Sequence, residues 1–110
     1  MSRIPRQYVL RRFSEEPSAP RRGLQIWLIL VGKAHARQTI TYGALADLLG
    51  FERAGTLAPL LGHVMFFCRA SGLPPLTVLV VNQETGRPGD GLTGVEDVDR
   101  ARERVFQYDW

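Results

Sequence analysis

Thr39-Ile40-Thr41-Tyr42-Gly43-Ala44-Leu45-Ala46-Asp47-Leu48-Leu49-Gly50 is the stretch whose reading decides the fold. It opens as a short β-branched run. Thr41 then stands where a helix N-cap belongs, because its hydroxyl can accept from a free backbone N–H two or three residues on. Tyr42, Leu45, Ala46 and Leu49 recur at helical spacing, and Gly50 offers the left-handed residue that closes a helix. A tight turn, Phe51 to Ala54, follows. Thr56 is placed to cap the next helix, and Pro59 is tolerated in its first turn, where the missing N–H has no use. Leu57, Leu60, Leu61, Val64 and Cys68 line one face of that helix, which should stop at Gly72. A short helix, a tight turn and a longer helix describe a helix-turn-helix unit. The same spacing also fits a plain three-helix packing unit.

Working outward, Leu24, Trp27, Leu28 and Val31 predict an amphipathic helix over about 21–36, with Arg21, Arg22, Gln25 and Lys33 on its opposite side. Residues 1–20, with Pro5, Pro17 and Pro20, read as a basic arm and linker whose apolar anchors are Tyr8, Val9, Leu10 and Phe13. On the other side, Leu76-Thr77-Val78-Leu79-Val80-Val81 predicts a buried strand. Asn82 to Gly86 is a turn, and Arg87 to Gly91 reads as a mobile loop. Val95, Val98, Ala101 and Val105 mark a final helix over roughly 95–107, with Glu96, Asp97 and Asp99 at the end that the helix dipole favours for acids. The expected fold is mainly α with a small β wing, a winged helix-turn-helix, occupying residues 21–110 as one domain.

The 110 residues are 45% hydrophobic and 23% charged, which excludes a disordered tail, a collagen-like repeat and a disulfide-stapled miniprotein. Cys68 is the one cysteine, so no internal disulfide can form, and a reducing cytoplasm is expected. The longest apolar run, Ile26 to Val31, falls far short of the roughly 20 residues that cross a bilayer, so no membrane partner is expected. Met1 to Phe13 lacks the continuous apolar stretch of a signal peptide. Residues 1–55 carry a net charge of +5 and residues 56–110 a net −2. Thirteen of the fourteen basic residues are arginine, and six of them, Arg3, Arg6, Arg11, Arg12, Arg21 and Arg22, fall in the first 22 positions. Planar guanidinium forks suit phosphate oxygens, so this asymmetry points to a polyanion, against the plainer reading of a solvated arm.

Ile40-Thr41-Tyr42-Gly43-Ala44-Leu45-Ala46 resembles the signature of the O6-alkylguanine-DNA alkyltransferases and the alkyltransferase-like proteins, Val-Thr-Tyr-Gly-x-Ile/Leu-Ala. The likeness extends over about residues 21–92. Arg53-Ala54 falls where that family places its arginine finger, and Gly62 has a counterpart in the following helix. Gly72-Leu73-Pro74-Pro75 leads into Val80-Val81-Asn82 where the family has Ile-Pro, then Val-Val and a turn. The resemblance implies duplex DNA as partner. It also implies that Tyr42 contacts the backbone near a flipped nucleotide and that Arg53 enters the stack. Thr41 and Thr56 would hold phosphates, and Arg21 and Arg22 would add sequence-independent affinity.

The departure concerns the chemistry. The family's alkyl acceptor is the thiolate of Pro-Cys-His-Arg, and Pro74 to Val81 contains neither Cys nor His. Cys68 lies a segment earlier on an apolar helix face, where a thiol behaves as a small hydrophobe with a raised pKa. Neither alkyl transfer nor lesion binding is expected, the latter because aliphatic side chains should fill the matching pocket segment. His35, His63 and Cys68 lack the paired spacing of a metal site. His63 lies two turns beyond Thr56, as a helix histidine or near a groove. The glycines of 86–91 lack the Lys-Ser/Thr of a phosphate loop. Phe106-Gln107-Tyr108-Asp109-Trp110 is expected to pack on the core, with docking of a protein partner as the alternative. The expectation is therefore a cofactor-free, non-enzymatic DNA-binding protein, against a protein-interaction module on the same fold.

Overall fold

The computed structural model describes residues 19–89 and 95–110. The basic residues Arg3, Arg6, Arg11 and Arg12 and the anchors Tyr8 to Phe13 lie outside the described residues. So does the end of the expected loop, from Asp90 on. The elements are α1 (Ala19–His35), β1 (Ile40–Thr41), α2 (Tyr42–Leu49), α3 (Leu57–Ala70), β2 (Val80–Val81) and α4 (Val98–Gln107). Short 3-10 turns cover Ala54–Thr56 and Leu76–Leu79. The fold is mainly helical, with one two-stranded sheet in which Ile40 pairs with Val80 and Thr41 with Val81, in parallel. Among the described residues no helix is long and apolar enough to cross a membrane.

Three helices end in the same way. The N–H of Phe51 donates to the carbonyl of Ala46, that of Leu73 to Cys68, and that of Gln38 to Lys33, each beside a left-handed residue. For α2 and α3 that residue is Gly50 (φ 76°) and Gly72 (φ 68°), as the sequence predicts. For α1 it is Arg37 (φ 53°), where a side chain must tolerate a conformation that glycine adopts freely. Its guanidinium pairs with Glu103 and lies 5.1 Å from the centre of the Phe106 ring, tying the end of α1 to α4.

The core gathers around the 3-10 turn Leu76–Leu79, against which α1, α3 and α4 all pack. Leu76, Val78 and Leu79 are fully buried there, with Ile26 and Leu30 from α1, Leu57 from α3 and Val105 from α4. Full burial of such a side chain stabilises the fold by about 1.5–3 kcal/mol.

Several expectations change here. The buried run 76–81 is a strand only at Val80 and Val81, because β1 offers just two residues to pair with, and the rest winds into the 3-10 turn. A second wing strand is absent among the described residues. The buried stripe of α1 is Arg22, Ile26, Leu30 and Ala34, while Leu24 and Leu28 of the expected core face are 55% and 57% exposed. The final helix begins at Val98, capped by Asp97, whose carboxylate accepts from the Arg100 N–H at 3.1 Å.

Candidate nucleic-acid interface

The α2–α3 unit is assembled by local signals and one long-range tie. Thr41 Oγ1 accepts from the Ala44 N–H at 3.1 Å, which starts α2 in the register the sequence predicts. The tie is Arg22 of α1. Its guanidinium donates to the carbonyl of Leu49 and to Oε1 of Gln25 (2.9 Å), and it sits 4.5 Å from the centre of the Phe51 ring. Arg22 is 5% exposed, so it leaves the expected set of phosphate contacts. Instead it fixes the turn from inside. Arg21, beside it, is exposed.

Of the other expected site residues, Arg53 lies in the turn in an extended conformation (φ −131°, ψ 136°). Its side chain is exposed and makes no hydrogen bond or ion pair among the described residues. Arg53 stands four positions before α3, which begins at Leu57. Thr56 is already in helical conformation (φ −63°, ψ −21°), so its hydroxyl is not in the geometry of a cap and makes no cap bond. It is exposed on the same turn as Arg53.

Tyr42 is half-buried, and its phenolic oxygen accepts from the Gly89 N–H at 2.8 Å. A Cβ at position 89 would stand 3.1 Å from that oxygen, a tight contact that glycine avoids. The parallel pairing of β1 with β2 is what brings these two together across 47 positions. The loop that follows β2 is hydrogen-bonded as far as Gly89. The Asn82 N–H donates to Arg87 O and the Gly86 N–H to Asn82 O, both at 2.8 Å. Arg102 of α4 donates to Gly86 O at 3.0 Å, and Arg87 faces Asp99 at 3.9 Å.

Beneath Tyr42 lies a cavity of about 200 Å3, bounded by Ala58, Leu61, Gly62 and Met65 of α3, by Pro88 and Gly89, and by Thr77. Thr77 is 6% exposed and its Oγ1 has no hydrogen-bond partner. Leu76, Val78 and Leu79 turn into the core, and the one hydroxyl of the run lines the cavity. The sequence signal was a lone threonine inside an apolar run.

Cys68 does not line this cavity. It is 1% exposed and lies under a separate cleft between α3 and α4. Burial pushes its thiol pKa up, against the opposing pull of a backbone hydrogen bond at Leu76. His63 is exposed, beside an apolar groove between α1 and α3. Of the C-terminal aromatics, Phe106 and Trp110 pack against the core as expected, while Tyr108 is 41% exposed: the Trp110 ring meets Trp27 edge-on at 5.6 Å, and its indole N–H donates to Val105 O at 2.7 Å.

Comparison with protein-family models, curated proteins and solved structures returns no match.

Proposed function

We propose that the protein is a non-enzymatic DNA-binding protein of the winged-helix, alkyltransferase-like kind, which meets duplex DNA with the turn between α2 and α3. The observation that carries this reading is Arg53: an exposed, unpaired guanidinium on the turn that opens the longer helix, with the Thr56 hydroxyl exposed beside it. A guanidinium in water with no carboxylate partner keeps its full charge for phosphate. The loop Asn82–Gly89, held to Tyr42 on one side and to α4 on the other, acts as the wing. The buried thiol, away from the cavity under Tyr42, supports a role without alkyl transfer. The test is titration with duplex DNA at 50 and 200 mM salt. With about four to six phosphate contacts, affinity falls on the order of 100-fold or more between those concentrations.

A second reading, docking of a protein partner, moves from the C-terminal tail to the face of α1 and α3. Leu24 and Phe67 are 55% and 53% exposed there. A groove of about 400 Å3 lined by Leu24, Trp27, His63, Val64 and Phe67 lies among them. Contiguous exposed apolar surface of this kind marks interaction sites. No DNA binding at 50 mM salt would favour this reading.

A further inference from the structure

We propose that the cleft between α3 and α4 is a second phosphate site, which holds the strand on the far side of the groove that the α2–α3 turn enters. The inference rests on the DNA-binding reading above. The cleft has a volume of about 580 Å3, and three arginines line it: Arg69 from α3, and Arg100 and Arg104 from α4. Arg100 and Arg104 are four residues apart, so they stand one above the other on the same face of α4, about 5–6 Å apart at Cβ. Both are exposed, and neither side chain makes a hydrogen bond or ion pair among the described residues. Arg102, between them in sequence, is by contrast tied to Gly86 O. Two like charges at this spacing repel each other, and an anion between them removes that cost. A nucleic-acid strand offers a phosphate about every 3.4 Å along its axis, so such a pair reaches two.

The position along α3 fits a duplex. Met65 lines both this cleft and the Tyr42–Thr77 cavity, so the two sites adjoin on one side of the helix. From Thr56 to Arg69 the chain advances about 20 Å at 1.5 Å per residue. The turn and the cleft are therefore separated along the helix by more than the roughly 12 Å width of a major groove. Glu96 and Asp97 also line the cleft. Asp97 is engaged as the cap of α4, and the lining is still net positive, three guanidinium groups against two carboxylates, with Arg104 a full turn further from the acids than Arg100.

The experiment compares the full chain with R100Q/R104Q by fluorescence anisotropy on a short labelled duplex over a series of salt concentrations. The slope of log Kd against log salt is expected to flatten by about two, since two phosphate contacts are lost. The melting temperature stays unchanged, because both side chains are in solvent. R100K/R104K restores the slope. An unchanged slope in R100Q/R104Q, with Arg53→Ala still weakening binding, overturns the second site and leaves the reading of the turn intact. Failure of the unaltered chain to bind at 50 mM salt overturns both.

Discussion

The guanidinium of Arg22 on α1 donates to the main-chain carbonyl of Leu49, the last residue of α2, across 27 positions of sequence. The last carbonyls of a helix have no partner within it, and here one is buried. Arg22 satisfies it and places positive charge at the negative end of the helix dipole. The same guanidinium stacks on Phe51, the residue after Gly50, and so sets where the chain leaves α2 for the turn.

Arg22→Leu should therefore cost about 2–3 kcal/mol in a urea melt, the worth of a charge-assisted bond whose acceptor is then left buried. Arg22→Lys should recover only part of this, because a point charge neither forks nor stacks in the same way. Per folded molecule, DNA affinity should not change. A loss of affinity without loss of stability would return Arg22 to the contact set.

What the sequence disclosed follows from the range of each interaction. The beginning and end of α2 were legible because Thr41 and Gly50 act within a few residues. Tyr42 was singled out by the Thr-Tyr-Gly motif, but its partner Gly89 becomes visible only once β1 and β2 pair. The sequence does not decide the face of α1, because residues 24–31 are apolar all round except Gln25 and two stripes compete. The deciding stripe contains an arginine whose partners lie on another helix. The run 76–81 has strand composition, yet a strand needs a neighbour, and only two residues of one exist. Arg37 in a left-handed conformation leaves no sequence signal at all.

Thr77→Val tests the cavity. Threonine and valine have nearly the same shape, and the Thr77 hydroxyl is buried with no partner, so valine removes an uncompensated polar group. Stability should rise or hold, by about 0–1 kcal/mol. A loss above roughly 1 kcal/mol would show that the hydroxyl is hydrogen-bonded in solution.

Arg53→Ala should weaken duplex binding by about 1–3 kcal/mol and leave the melting temperature nearly untouched, because the exposed side chain contributes no contact to the folded state. The opposite pattern, lost stability with unchanged binding, would assign Arg53 a structural role.

Cys68 should behave as a core residue under three independent probes. Incubation with DNA carrying an O6-alkyl guanine should leave the protein mass unchanged, since the thiol is 1% exposed and its pKa is raised by burial. Cys68→Ser should cost stability, by about 1–3 kcal/mol, because the site that suits a weakly polar thiol must then bury a hydroxyl. The pH dependence has a definite sign. A thiol whose folded-state pKa lies above its unfolded value keeps its proton longer when folded. Its contribution is fully present below the unfolded pKa and is lost as pH rises through the folded one. Unfolding free energy should therefore begin to fall above about pH 8.5, the ordinary thiol range, and that component should vanish in Cys68→Ala. A mass gain of one alkyl group that disappears in Cys68→Ala would instead make Cys68 an acceptor and overturn the non-enzymatic reading.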